Sequence, residues 1–287
     1  MDIDGDGIRD ILSGSYSRME KDMAGLFQVL RGKPDGTFHP AEVLKGTDDQ
    51  PLIIPAKEEN MVEKICTRPF AVDWDGDGVL DIVTGNFGGT FYWFKGESKG
   101  KFLPKPQLLK IGDEPLKIKG HHSDPFVVDW DGDGDLDLIS GSTEGGVQWA
   151  ENTAGKGKPP VLRPFEWIIK PNKTVKYGEP LSESELAGPT TSTRVWVADV
   201  NGDGKLDILL GDSVTLVAPA KGLSVEEMKK KQAAWQEAVT KLSKEMSSEK
   251  DQTARIKANQ EFQKIYQKRS EFMKEDSTGF VWVYLQK

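Results

Sequence analysis

A single cysteine, Cys66, occurs in 287 residues, so no internal disulfide can staple the fold. A lone cysteine neither requires nor excludes an oxidising compartment. No apolar run approaches the ~18 residues of a membrane span. The formal net charge is −8 and no broad basic face is visible, which argues against nucleic acid as a partner. The chain has no nucleophile elbow, no HExxH and no Walker loop. The string Gly5-Asp6-Gly7-Ile8-Arg9-Asp10 mimics a dinucleotide fingerprint. Its last place is Asp where a Gly is needed, and no crossover helix follows.

What the chain does have is one nine-residue pattern written four times. The copies are Asp2-Ile3-Asp4-Gly5-Asp6-Gly7-Ile8-Arg9-Asp10, Asp73-Trp74-Asp75-Gly76-Asp77-Gly78-Val79-Leu80-Asp81, Asp129-Trp130-Asp131-Gly132-Asp133-Gly134-Asp135-Leu136-Asp137 and Asp199-Val200-Asn201-Gly202-Asp203-Gly204-Lys205-Leu206-Asp207. Positions 1, 3, 5 and 9 carry carboxylates, with Asn201 the one exception. Four carboxylates in nine residues repel one another unless a cation sits among them. The donors are all oxygens, with no His or Cys nearby, so the expected cation is hard. Ca²⁺ accepts six to eight oxygens in flexible geometry and fits better than Mg²⁺. The expected ligands are the side chains at positions 1, 3, 5 and 9 and the backbone carbonyl at position 7 (Ile8, Val79, Asp135, Lys205). About four Ca²⁺ would offset the net charge of −8. The position-7 side chain is expected to be free, and Gly at position 6 to permit the turn. Turn chemistry alone does not require Asp at position 9.

An EF-hand needs Glu at position 12, where this chain has Ser13, Thr84, Ser140 and Leu210. Apolar, β-prone runs lead in (Phe70-Ala71-Val72, Phe126-Val127-Val128) and lead out (Ile82-Val83, Leu138-Ile139), so the unit reads as strand, loop, strand. The pattern, with Gly14, Gly85, Gly141 and Gly211 after it, resembles the FG-GAP/VCBS repeat, the blade of integrin-α-like β-propellers. The resemblance covers nearly all of the chain outside about 220–276. It implies four-stranded blades with Ca²⁺ between the first and second strands, and it implies a scaffold, not an activity.

The expected fold is all-β: a β-propeller of four such blades, possibly incomplete at both ends, with an inserted antiparallel helical hairpin. The expected organisation is blades over 1–217 (repeats starting near 2, 70, 126 and 195), the hairpin over 218–276 and a returning strand over 277–287. Third strands are expected at 26–30, 90–94, 147–150 and 280–284, their aromatics forming core between blades. Weaker fourth strands are expected at 41–44, 107–109 and 165–169. Irregular insertions are expected near 45–68, 111–124 and 171–193. In the fourth repeat, 224–274 reads as helix. Ser224 and Glu227 form a capping box. Trp235, Val239, Leu242 and Met246 make one apolar stripe, and Ala258, Phe262, Ile265, Arg269 and Phe272 a second after a break near Ser247-Ser248-Glu249. Each helix is expected to span ~35 Å, with Lys229-Lys230-Lys231 on a solvated face. The first loop has only Met1 before it, so a natural precursor is expected to supply its incoming strand and a signal peptide.

Strands alternate in direction, so the acidic loops should share one face. Large loops and the hairpin should lie opposite, on the candidate ligand face. On that face stand His121 and His122, a polar loop bonding the neighbouring blade or else acid/base groups or metal ligands, and Arg68, a structural ion pair or else a carboxylate or sugar contact. Asn172-Lys173-Thr174 matches a glycosylation sequon. The leading reading is a calcium-stabilised, secreted or periplasmic binding or adhesion scaffold whose partner is a protein or glycan; the helical hairpin is a possible protein-interaction element. The alternatives are a lectin-like propeller and a polysaccharide lyase using His121 or His122 with a Tyr such as Tyr177. Open calcium loops need millimolar Ca²⁺, hence the compartment.

Overall fold

Short apolar runs flanked by glycine fold here as antiparallel ladders. The computed structural model describes residues 1–16, 25–55, 62–172, 179–248 and 251–287, apart from the side chains at 248, 252, 253 and 255. Tyr177, the last two sequon positions and parts of the segments 45–68 and 171–193 lie outside the described residues. The first sheet runs β1 (Ile11–Ser13), β2 (Gln28–Leu30), β3 (Glu42–Val43). The second contains β4 (Arg68–Val72), β5 (Asp81–Gly85) and β6 (Phe91–Phe94). A ribbon of β7 (Gly96–Ser98) and β8 (Lys101–Phe102) follows, and β9 (Gln107–Leu108) closes the sheet beside β6. Another ribbon pairs β10 (Lys110–Ile111) with β11 (Glu114–Pro115). The third sheet runs β12 (Asp124–Val128), β13 (Asp137–Gly141), β14 (Val147–Ala150), β15 (Glu166–Ile169). In the fourth, β16 (Thr191–Ala198) neighbours β17 (Asp207–Pro219), which pairs with both β18 (Met273–Thr278) and β19 (Val281–Tyr284).

The contacts divide the chain into two compact units: 1–172 with 189–212 and 280–287, and 173–188 with 213–279. In the first unit the four sheets keep one register. Ile11 faces Leu30, Ile82 faces Phe94, Leu138 faces Ala150 and Ile208 faces Tyr284. β5, β6 and β13 are covered on both faces and buried throughout, their polar members Asp81, Thr84, Asp137 and Ser140 included. Three cores fill the spaces between consecutive sheets. Phe27 and Val29 meet Ile82 and Phe94; Val83 and Trp93 meet Leu138 and Ala150; Phe126 and Ile139 meet Val195 and Ile208. Phe27, Phe91, Tyr92, Trp93 and Phe94 of the third strands are core, as expected, while Trp149, Trp282 and Tyr284 are half-buried against it. Among the described residues no core joins the first sheet to the fourth, so no closed ring is seen. The faces that would meet are open: Ile11 is 44% exposed in the first sheet, and Trp196, Val281 and Val283 are 60%, 71% and 52% exposed in the fourth.

One polar clasp recurs between consecutive sheets. The residue six places before each loop carries a hydroxyl, and it grips the backbone just after the preceding sheet's second strand. Thr67 accepts from the Ser15 N–H at 2.7 Å, Ser123 from Asn86 at 2.9 Å and Thr193 from Ser142 at 3.0 Å. The backbone N–H of each donates back to the same residue's carbonyl. The approach is so close that a Cβ on Gly14, Gly85 or Gly141 would lie 1.9, 2.1 or 2.3 Å from the clasping residue's carbonyl oxygen. At Gly211 the nearest carbonyl oxygen, that of Arg194, is 4.0 Å away.

In the second unit the helical hairpin expected over 224–274 is two helices, as read, but its last residues begin a strand. The helices are α1 (Val225–Ser248) and α2 (Gln252–Gln267). Ser224 and Glu227 form the capping box, and Asp251 caps α2 by accepting from the Ala254 N–H. Trp235 donates to the Ile265 carbonyl at 2.8 Å and packs on Tyr266 and Phe272. The second helix is shorter than the ~35 Å foreseen, because 268–271 tightens into a 3₁₀ turn. Met273–Thr278 then pairs with Val214–Pro219, whose ladder groups would otherwise face no strand. Among the described residues no helix is long and apolar enough to cross a membrane.

The clasp yields a paired test. Gly141→Ala should cost about 3 kcal/mol or more by overpacking. Gly211→Ala should stay within about 1 kcal/mol. Urea denaturation of both variants measures the contrast.

Candidate metal centres

The second, third and fourth acidic loops join the first and second strands of their sheets, the first leads into β1, and each is folded by its own carboxylates. The position-1 side chain accepts backbone N–H groups from inside the loop. Asp2 takes Gly5 at 2.7 Å and Gly7 at 2.9 Å; Asp129 takes Gly132 at 2.8 Å and Gly134 at 3.1 Å; Asp199 takes Gly202 at 2.6 Å and Gly204 at 2.9 Å; Asp73 takes Gly78 at 2.9 Å. Position 5 accepts from position 7: Asp6 from Ile8, Asp77 from Val79, Asp133 from Asp135, Asp203 from Lys205. The glycines at positions 4 and 6 all have φ between 71° and 97°, so both must be glycine, not only position 6.

Position 9 has a role the spacing did not reveal. Its two oxygens hold two amides, one at position 2 of its own loop and one just past the third strand. Asp10 takes Ile3 at 3.0 Å and Gly32 at 2.9 Å; Asp81 takes Trp74 at 3.2 Å and Gly96 at 2.7 Å. Asp137 takes Trp130 at 3.0 Å and Asn152 at 2.7 Å; Asp207 takes Val200 at 3.0 Å and Gln286 at 2.9 Å. All four carboxylates are buried. Burial, only partly opposed by the Gly96 N–H, pushes Asp81 up to about 6. Burial likewise lifts Asp137 to about 6 against the Asn152 N–H.

Among the described residues three sets of carboxylates bring oxygens within 4.8 Å of one another: Asp2, Asp4, Asp10; Asp73, Asp75, Asp77; Asp129, Asp131, Asp133. The fourth loop contributes Asp199 and Asp203, with Asn201 between them, its amide nitrogen 3.0 Å from Asp203. The residues fit a hard cation on two grounds. The donors are all oxygens. Three buried carboxylate oxygens, on Asp73, Asp75 and Asp135, accept no hydrogen bond from the protein. Such groups are costly to bury unless something else meets them.

Position 7 needs a correction. Ile8, Val79 and Lys205 are half-buried or exposed. Asp135 is buried, however, and accepts from the Gly155 N–H at 2.6 Å. Burial, and then the carboxylates of Asp133, Asp131 and Asp129, raise its pKa. Its side chain is therefore part of the third loop's structure.

His121 and His122 tie the turns of neighbouring sheets together. The His121 N–H donates to Thr143 and its carbonyl accepts from the Thr143 N–H; the His122 N–H donates to Phe87. His122 has φ 59°, and both rings pack on Phe87. The His122 carbonyl accepts from Arg68 at 3.1 Å. Arg68, Asp124 and Arg194 each stand five residues before a loop, in a row of alternating charge, with Arg68 3.9 Å from Asp124. Burial, then Arg194, lowers Arg68 to about 10, against the pull of Asp124. Arg68 thus takes the structural ion-pair role, the leading expectation for it.

The sequence reading also passed over the cations nearest the loops. Lys95 bonds Asp75 and reaches Asp77 at 2.6 Å, and Arg31 lies 3.3 Å from both Asp4 and Asp10. The signal was a fixed place: each directly precedes a residue whose amide the position-9 carboxylate holds.

A family model described as an FG-GAP-like repeat matches residues 73–140 and 129–210. The chain carries FG-GAP-like repeats over these residues. The two matches run from the second acidic loop to the end of the fourth sheet's core segment, so the FG-GAP-like period is loop to loop. No curated protein matches the chain.

Measured in EDTA, Asp137→Ala should lower the unfolding free energy by about 2–4 kcal/mol, since it strands two amides. Asp137→Asn keeps an acceptor and should lose less. A side chain serving only a metal would show no effect once the metal is chelated. Asp135→Ala should cost about 1 kcal/mol or more under the same conditions, through the Gly155 amide.

Proposed function

We propose that this FG-GAP-like repeat protein is a calcium-stabilised, propeller-like scaffold for binding or adhesion, its four sheets acting as blades. The observation that carries the calcium is the set of buried oxygens on Asp73, Asp75 and Asp135 with no protein donor. Asp73, Asp75 and Asp77, and Asp129, Asp131 and Asp133, with their counterparts in loops one and four, would hold the ion. The ion would neutralise clustered carboxylates and stiffen the turn between first and second strands. Position 9 would serve it while keeping its grip on the two amides, since each carboxylate oxygen has a second lone pair.

The ligand face is the end of the sheets remote from the loops. Connections there vary in length and carry the Arg68–Asp124–Arg194 row, while the loop ends repeat one structure four times. Loops on a rigid frame are the usual carriers of recognition. A protein or glycan partner suits such a surface. The compartment that supplies millimolar Ca²⁺ is extracellular or periplasmic. A lectin-like reading draws on Trp149, which lines a cleft with Glu151, Arg163 and Glu166, an aromatic wall beside polar groups. The lyase reading has no such support: the His121 and His122 rings pack on Phe87, and Tyr177 lies outside the described residues.

Chelation with EDTA should lower the melting temperature by several degrees, because a ligand bound only by the folded state at a hundred times its Kd adds about 2.7 kcal/mol per site. Restoring millimolar Ca²⁺ should recover it, and Mg²⁺ should recover less. An unchanged melting curve would contradict the calcium reading. A glycan array probed with and without EDTA separates a lectin from a protein-binding scaffold.

A further inference from the structure

The four loops share one backbone and differ in one neighbour. The residue just before the amide that position 9 holds is Arg31 in the first repeat, Lys95 in the second, Glu151 in the third and Leu285 in the fourth. The first two place a cation on the loop. Arg31 lies 3.3 Å from Asp4 and Asp10, and the Lys95 ammonium contacts Asp75 and Asp77. The Lys99 side chain also lies against the first loop: a Cβ on Gly5 would be 2.7 Å from its ammonium nitrogen. In the third repeat the equivalent residue is an acid, and Glu151 is held outward by Arg163 at 2.8 Å. The stem of Lys156 passes 3.9 Å from a Cβ on Gly134, yet among the described residues no ion pair joins its ammonium to that loop. The third loop is also the one with a fifth acid, the buried Asp135. The fourth has Asn201 for an acid, Lys205 at position 7 and the uncharged Leu285.

We propose that the residue before the held amide sets how strongly each loop takes a divalent cation: Arg31 and Lys95 act as tethered counter-ions that compete with it, and the third loop, which has none, is the dominant site. Affinity in oxygen-ligated loops follows the charge count of the donors. A fixed ammonium or guanidinium among the donors cancels part of that charge and occupies carboxylate oxygens the ion would use. The first two loops then keep their shape when calcium is low, and the third carries the calcium response. The proposal rests on the calcium reading above, and the test separates the two.

The test is calcium titration calorimetry on the whole chain, stripped of metal, in three forms: unchanged, Glu151→Lys and Lys95→Met. Glu151→Lys installs the counter-ion at the third loop and should weaken the tightest site roughly tenfold or more, while Lys95→Met should tighten a second site by a similar factor. Either shift in the expected direction supports the proposal, so it stands testable if one variant fails to fold. Calcium binding that is unchanged in stoichiometry and affinity in the folded variants overturns the proposal and leaves the calcium reading intact. No calcium binding by any of the three proteins overturns both. Terbium luminescence gives a second readout: Trp130 sits at position 2 of the third loop and Trp74 at position 2 of the second. Glu151→Lys should reduce the sensitised emission at low terbium, and an unchanged signal counts against the ranking.

Discussion

The constraint on which the rest depends is a buried carboxylate that holds two amides at once. In every repeat the position-9 aspartate joins its loop to the chain leaving the third strand. Charge-assisted hydrogen bonds of this kind are roughly twice as strong as neutral ones. They also fix geometry, because both amides must point at one small group. The first, second and third strands of a sheet are thereby locked at the same end. That end is where the remaining acids crowd, so one residue both aligns the sheet and frames the candidate metal centre.

Between sheets the corresponding element is the hydroxyl clasp over a glycine. It works only where the two backbones nearly touch, which explains why Gly14, Gly85 and Gly141 leave no room for a Cβ. Latch and clasp sit at opposite ends of each second strand, and the aromatic core fills the space between them. Both ends of the repeat unit are thus specified by polar contacts of fixed geometry, while the middle is specified by volume. This division leaves the connections remote from the loops free to vary in length and composition. The proposed calcium sites and the proposed recognition face would then occupy opposite ends of the same plan.

Much of this was legible in the residues. The four Asp-Gly loops, the strands around them, the aromatic third strands, the return of Val281–Tyr284 after a long insertion and the capping box at Ser224 all follow from local pattern. What escaped was non-local. Nothing in Asp81 taken alone distinguishes a metal ligand from a backbone latch, because both need a carboxylate. Thr67, Ser123 and Thr193 look ordinary until aligned on the loops that follow, where their shared offset becomes visible. Asp135 was read as free because its counterparts are Ile, Val and Lys. Its partner, the Gly155 amide, comes from a turn twenty residues on. The end of α2 was misjudged because Arg269 and Phe272 keep a helical spacing through the 3₁₀ turn. Pairing with the extended β17 then claims Met273–Thr278.

The most direct test of the central claim is amide hydrogen exchange at Trp74, Gly96, Trp130 and Asn152, the four amides held by Asp81 and Asp137. The account predicts protection comparable to that of β5 and β13, with and without calcium. Exchange at the rate of the exposed loop amide of Gly76 would contradict it.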